Sequence, residues 1–342
     1  MRAGGKGLER EASTPLGDRA IFFLTNAWFY LTRPFFVTRF RRRVGTWPDI
    51  ARPRGVNELV QWRKLIDRNP AFVTFADKLA TKAWIAERLP ELPQPQTLWV
   101  GERPEDVPDE LLSPGHVIKT NNASGQNYLP HRKPLARPAF ERQFRRWLRA
   151  SAAKRLLGWL DQGQEWAYWP VRSRIFVERR VGAGRELVDL SVRVLDGKAF
   201  LGSCALDYKT DEVTLGYFWP DGTPVANSAA SNLPEGFVVP PVFAEAVRVA
   251  ERLGQGFDYL RIDFLTDRQS LSAGEITCYP ASGYGTNAWH TQLMYRRWLE
   301  TLDLSWPLAT PQPWPRRLYL AAFRRWLASH RAELAQTAAH ET

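Results

Sequence analysis

A chain of 342 residues, 44% of them hydrophobic and 24% charged, has the make-up of a globular protein and excludes a disordered or fibrous one. It is too long for one simple core and suits two or three packed subdomains. Lys and Arg number 47 against 36 Asp and Glu, and a net charge of +11 calls for an anionic partner: a nucleotide, an acidic polymer, nucleic acid or an anionic membrane surface.

In chain order, residues 1–19 are polar and read as a mobile tail. The apolar run Ala20–Val37 follows, interrupted by Asn26 and Arg33 and succeeded by Arg39, Arg41, Arg42 and Arg43. It lacks a signal-peptide cleavage pattern and is too broken to span a bilayer. Its aromatics and basic cluster fit a segment lying on an anionic inner leaflet, and fit equally a segment packed on the core. Residues 53–90 predict helices joined at Pro70, the second with Phe75, Leu79, Trp84 and Leu89 on one face. Strands are predicted at Thr97–Val100 and His116–Thr120, with a Pro-broken loop over Arg103–Leu112 between them. A basic helix over 138–161 leads into three β-like runs, Arg174–Val181, Leu187–Leu195 and Ala199–Leu206. Pro220–Pro241 reads as a loop and Phe243–Leu253 as a helix. Tyr259–Leu265 and Ser272–Tyr279 read as strands that carry acids, and 316–335 as a basic amphipathic helix. Interleaved strands and helices without an internal repeat predict a mixed α/β enzyme. Cys204 and Cys278 lie in apolar runs with no metal-ligand spacing and read as buried, reduced thiols of a cytoplasmic protein.

Four features carry chemistry. Arg261-Ile-Asp263-Phe and Gly274-Glu275-Ile-Thr277 set two carboxylates on adjacent strands, twelve residues apart. Such a pair suits a hard cation that bridges to phosphate, and suits equally an Arg–Asp or Arg–Glu ion pair. In VIKTNNASGQN, Lys119 ends an apolar strand, and the backbone N–H groups of Ala123, Ser124, Gly125 and Gln126 could cradle phosphate oxygens. It is not a P-loop, because the GxxxxGK[ST] order is absent, and taken alone it is also a plain loop. Glu178 closes the strand of FVERRV before a Gly-rich bend, where it could meet an adenine edge or simply face water. Lys78, beside Asp77 at a helix start, could reach a nucleotide or be a surface lysine. Arg185, Arg193, Arg261, Ser282, Tyr284 and His290 remain as candidate substrate contacts. No Ser-His-Asp or Cys-His constellation is evident. The 15 tryptophans are scattered with no recognised module, which argues against nucleic acid.

The order of these motifs resembles that of the TupA-like ATP-grasp family found among bacterial surface-polysaccharide proteins. The resemblance rests on NELVQWRKLIDRNPAFVTFADKLATKAWIAERL, VIKTNNASGQN, FVERRV, LVDLSVRVLDGK, LRIDF and GEITCYPASGYG, spread over about 57–300. It implies an α/β fold of the ATP-grasp type, with the nucleotide between two α+β lobes and an N-terminal helical extension. The implied segments are 1–52 as tail and apolar/basic stretch, 53–115 as N-terminal subdomain and 116–183 as central ATP-binding lobe. The segment 184–312 would be the C-terminal lobe with the metal site, and 313–342 a basic helix. It implies that ATP is held by Lys78, Lys119, Asn122, Ser124, Gly125, Glu178 and Glu186, with the loop Asn121–Asn127 closing over the phosphates. Magnesium would lie on Asp263, Glu275 and Thr277, and Arg261 would be catalytic. ATP-grasp enzymes commonly have Asn where Thr277 stands, although this family commonly shows Thr. The family's Asp-Tyr-Lys reads Asp189-Leu190-Ser191 here, so one lysine is missing. The implied activity is a carboxylate–amine ligase working through an acylphosphate, on a polysaccharide or small-molecule carboxylate and an amine donor. A kinase acting on a sugar or lipid-linked hydroxyl, and a non-catalytic, membrane-associated assembly protein, are the two rival readings.

Overall fold

The computed structural model describes residues 15–182, 185, 187–206, 212–226 and 231–340. Its first helices are α1 (Leu16–Thr32) and α2 (Pro34–Val44). Residues 16–19, expected in a mobile tail, are therefore helical. Pro34 sits in the first turn of α2, where a missing N–H costs nothing, and Gly45 ends that helix in the left-handed conformation at φ 91°. Next come α3 (Val56–Leu65), α4 (Ala71–Ala76) and α5 (Lys78–Arg88). What the sequence predicts as one helix through Phe75–Leu89 is broken at Asp77. That residue is extended, and its carboxylate caps α5 by accepting from Leu79 N and Ala80 N. The remaining elements are β1 (Thr97–Gly101), β2 (His116–Thr120), β3 (Asn127–Tyr128), α6 (Arg137–Leu157), β4 (Ile175–Arg179), β5 (Val188–Leu195), β6 (Lys198–Leu206) and β7 (Thr214–Phe218). They continue with α7 (Phe243–Gly254), β8 (Leu260–Thr266), β9 (Leu271–Thr277), α8 (Ala288–Thr301), α9 (Trp306–Ala309) and α10 (Arg316–His340). Sequence patterning anticipates neither β3, β7 nor α8; β3 is two residues long, too short for a period to emerge, and β7 has a glycine at its centre.

The chain forms two compact units, one within 1–68, 159–164 and 279–342, the other within 69–158 and 165–278. Both sheets belong to the second unit. One has the antiparallel order β1-β4-β2-β3, the other the order β7-β6-β5-β8-β9. In the four-stranded sheet, Ile118, Tyr128, Ile175 and Val177 pack against Phe140 and Phe144 of α6. Alternation along the strands leaves Val117, Lys119, Phe176 and Glu178 on the opposite face, since Val117 pairs with Glu178 and Lys119 with Phe176. In the five-stranded sheet, Leu190, Val192 and Val194 are buried on the face that α7 covers. Gly202 of β6 permits that approach, because a Cβ there would come 2.4 Å from the Phe243 ring. The other face of β5 carries Asp189, Ser191 and Arg193. Both cysteines are free and buried.

The first unit is helical among the described residues. Its centre is α3, whose Leu59, Trp62, Arg63 and Lys64 are all buried. The Trp62 indole N–H donates to the Tyr319 hydroxyl at 2.8 Å, and its ring stacks on Phe323 of α10. The buried cations are compensated: Lys64 Nζ donates to the Ser282 carbonyl at 2.9 Å, and the Arg63 guanidinium lies 4.2 Å over the Trp298 ring. Asp18 of α1 accepts a bidentate pair from Arg325 of α10 at 2.8 and 2.5 Å. Of the aromatics in α1 and α2, Phe22, Phe36 and Phe40 are buried in this unit, whereas Phe23, Trp28 and Phe35 are exposed.

Candidate nucleotide and metal site

The face of the four-stranded sheet opposite α6 centres on Glu178. This side chain is only 4% exposed and is not the solvent-facing glutamate that its arginine neighbours suggest. It accepts from Lys119 Nζ at 2.7 Å through one oxygen and from Lys82 Nζ at 2.5 Å through the other. Burial pushes its carboxyl up, but the charges and hydrogen bonds of Lys119 and Lys82 outweigh this and hold it below the ordinary carboxylate value. Lys82 is the residue that sequence reasoning missed. It stands one turn after Lys78, and an i,i+4 lysine on the same helical face was the available signal. Lys78 goes elsewhere: its Nζ donates to the Ala123 carbonyl and its backbone N–H to the Asn121 carbonyl. The helix start thereby ties to the loop that follows β2.

That loop is fixed at its base and open at its tip. Asn121 exchanges bonds with the irregular segment before β4, accepting from Arg174 N at 2.7 Å and donating to the Arg172 carbonyl at 3.1 Å. Asn122 is buried, and its amide donates to Ser173 Oγ at 2.9 Å. Its side chain is thus engaged in holding the loop. Ser124 and Gly125 form the exposed tip, and Gly125 adopts φ 75°, a conformation that side chains resist. Glu186 lies outside the described residues.

The five-stranded sheet brings the acidic motifs together. Arg261 on β8 pairs with Thr277 on β9, and Ile262 with Ile276, while Phe264 pairs with Ala273. Two residues, Gly274 and Glu275, therefore oppose Asp263 alone, which is a β-bulge. Glycine is required there, since a Cβ on Gly274 would come 2.7 Å from the Asp263 carbonyl oxygen. The bulge returns Glu275 and Thr277 to the face that carries Arg261 and Asp263. Arg261 binds both oxygens of Asp263, at 2.7 and 2.6 Å, and also donates to Thr277 Oγ1 at 3.1 Å. The Thr277 hydroxyl reaches Asp263 Oδ2 at 3.4 Å. The ion pair and the carboxylate cluster, alternatives in the sequence, coexist here.

The donor set fits a magnesium ion held partly by phosphate. Asp263, Glu275 and Thr277 offer hard oxygens, and among the described residues no group of three or more His, Cys, Asp or Glu side chains is placed to hold a metal ion by itself. Two carboxylates without a complete protein cage is the usual arrangement where magnesium shares its shell with phosphates and water. Arg185 pairs with Asp267 at 2.6 Å, and Arg193 sits on the same face of the sheet as Arg261. Ser282, Tyr284 and His290 belong to the helical unit, where Ser282 is engaged by Lys64.

Two antiparallel α+β layers of this order, one bearing a lysine–glutamate cluster and the other an acidic hairpin, define an ATP-grasp fold. The model of the TupA-like ATPgrasp family matches residues 58–295, and the chain belongs to that family. Solved structures with a similar fold include the ATP-grasp ligase PsnB complexed with minimal precursor, at 12% identity and a TM-score of 0.35 over 68% of this chain and 60% of that one. D-Alanine–D-alanine ligase from Bacillus anthracis complexed with ATP matches at 13% identity and a TM-score of 0.35, covering 76% and 68% of the two chains. The L-amino acid ligase from Bacillus licheniformis matches at 16% identity and a TM-score of 0.37, covering 61% and 44%. No curated protein matches the chain.

Proposed function

We propose that the protein is an ATP- and Mg2+-dependent ligase that joins an acceptor carboxylate to an amine through an acylphosphate. The observation that carries this reading is the convergence of Arg261, Asp263, Glu275 and Thr277 on one face of β8 and β9. Lys82 and Lys119, aligned by Glu178, lie on the nucleotide phosphates, and the Ser124–Gly125 tip offers backbone N–H groups to them. Asp263, Glu275 and Thr277 would hold a magnesium ion, which when bound would supply charge neutralisation to the transferring group. Arg261 stabilises the charge that develops on the transferring phosphoryl group. An acceptor carboxylate oxygen bonds to the γ-phosphorus, and ADP leaves with the electron pair of the broken P–O bond. The amine nitrogen then bonds to the acyl carbon, phosphate departs, and the nitrogen loses its proton to give the amide. A uronic acid of a surface polysaccharide and an amino acid suit this chemistry and the net charge of +11.

Nucleotide binding is tested by thermal stability. Saturating Mg·ATP raises the melting temperature, by an amount equivalent to about 2.7 kcal/mol at a hundredfold excess over Kd. Lys119→Ala, which leaves Lys82 on Glu178, removes most of that rise. No shift in the wild type would sink the enzyme reading in favour of a non-catalytic assembly protein. Stable phosphoryl transfer to a hydroxyl, without phosphate release, would replace the ligase by a kinase.

The location we propose is cytoplasmic and peripheral, on an anionic membrane surface. Leu16, Phe23, Leu24, Trp28 and Leu31 are 64–80% exposed and recur at helical spacing along α1, followed by Phe35 at 56% in α2. Between Asp18 and Asp49 the chain has six arginines and no acid, and Arg41, Arg42 and Arg43 are exposed. No helix among the described residues is long and apolar enough to cross a membrane. Deleting 1–43 would strip Phe22, Phe36 and Phe40 from their core, so the informative variant is Phe23→Ser/Trp28→Ser/Leu31→Ser. The wild type should cosediment with phosphatidylglycerol-containing vesicles at low salt, and the triple variant at least about tenfold more weakly, at an unchanged melting temperature. Failure of the wild type to bind, or a wild-type dimer that the triple variant dissolves, would rule the membrane out.

A further inference from the structure

Arg193 is a buried cation without a counter-ion. It is 6% exposed, it donates to Ser203 Oγ at 3.2 Å, and its guanidinium lies 5.3 Å over the Tyr217 ring. Among the described residues no carboxylate comes within ion-pair reach of it. Its cross-strand partner is Arg261, whose charge Asp263 already takes on both oxygens. The face therefore holds two adjacent guanidiniums, and of the two only Arg261 is hydrogen-bonded to a carboxylate. Buried charges are ordinarily paired, and an arginine stays protonated rather than escape the cost by losing its proton. Burial lowers its pKa from the usual arginine value, and the Tyr259, Tyr217 and Asp263 side chains offset part of that lowering.

The direction of the side chain decides what could pair with it. Arg193 stands on β5 and reaches towards Ser203 of β6 and Tyr217 of β7, away from Glu275 on β9. Ser191, on the same face, pairs with Ser203 on one side and with Asp263 on the other. Two strand spacings, about 10 Å, separate β5 from β9. An oxyanion on the Ser203 and Tyr217 side of Arg193 would therefore lie about two strand spacings from Glu275, on the opposite side of β5 from Asp263.

We propose that Arg193, Ser203, Ser191 and Tyr217 form a second oxyanion subsite, which holds a carboxylate or phosphate ester of the acceptor away from its reacting carboxylate. The acceptor class is then a molecule with at least two anionic groups, such as an acidic oligosaccharide or a phosphate-linked sugar acid. This rests on the reading of the sheet face as the substrate face of an ATP-dependent ligase, and the test separates the two. The full chain is saturated with Mg·AMP-PNP, which fills the γ-phosphate position, and its melting temperature is followed while inorganic phosphate or glucuronate is added, against potassium chloride of equal ionic strength. Either anion should stabilise the wild type beyond the chloride control, and the more effective one names the source of the charge. Arg193→Gln should lose at least three quarters of that increment and keep the whole Mg·AMP-PNP shift, and Arg193→Lys should retain part of the increment. If Arg193→Gln fails to fold, Arg193→Lys carries the test through a weakened increment. The subsite is overturned if neither anion exceeds chloride in the wild type, if Arg193→Gln keeps the increment, or if it loses the nucleotide shift as well. A wild type without a nucleotide shift would remove the ligase reading while the anion titrations still report on Arg193.

Discussion

Glu275→Gln should lower ATP-dependent phosphate release by at least about a hundredfold, the scale set by losing several kcal/mol of charge stabilisation at a transferring phosphoryl group. Its effect on folding should be small, because Glu275 is half-buried and the Arg261–Asp263 pair survives the change. Asp263→Asn should match it in turnover but differ in stability. The amide keeps the shape of the carboxylate yet leaves Arg261 facing a neutral group where it had two charged hydrogen bonds, a loss of roughly 1–3 kcal/mol at a partly buried site. The two variants thus separate a metal role from a structural one. A readout independent of turnover is the magnesium dependence of ADP affinity, which each variant should flatten. Wild-type turnover in both, with an unaltered magnesium dependence, would remove the metal from β8 and β9.

Glu178→Ala should be the most destabilising single change in the sheet unit, by about 3–5 kcal/mol in chemical denaturation, because it leaves two lysines converging on an emptied buried position. Glu178→Gln should cost less, since the amide oxygen still accepts one lysine. The same cluster gives a pH signature. The folded-state pKa of Glu178 lies below its unfolded value, so its contribution is fully present above the unfolded value, near about 4.3, and is lost as pH falls through the folded one. Wild type should therefore lose stability below that range more steeply than Glu178→Gln. Parallel curves for the two proteins would show that the Lys82–Glu178–Lys119 cluster is not coupled to folding.

The acidic hairpin was legible because its residues lie close in sequence and on strands of clear alternation. What the sequence hides there is the bulge. With strict two-residue alternation, Asp263 and Glu275 have no fixed relation across the turn, and only the pairing of Ile262 with Ile276 and Phe264 with Ala273 decides it. The burial of Glu178 was hidden for a different reason. Its neighbours Arg179 and Arg180 suggest water, but its partners are Lys119, 59 positions away, and Lys82, 96 positions away, and burial is set by them. Lys78 drew attention through its place in the motif, while Lys82 reaches the glutamate because Asp77 starts a new helix at that point. The N-terminal run was ambiguous because both readings of it hold for different side chains: Phe22 packs inward and Phe23 does not.

The helical unit is assembled from stretches far apart in the chain, and this sets an order of events during synthesis. Asp18 and Arg325 are 307 positions apart, so a ribosome that has made α1 needs a further interval of about 15–60 s before its partner in α10 exists. All of 69–278, which holds both sheets, is translated within that interval. The nascent chain thus carries all the residues of both sheets while α1, with Phe22 still uncovered, waits for α10. A premature stop ahead of Arg316 would leave that wait permanent, and would yield a chain with intact sheets and an amphipathic helix open on both faces.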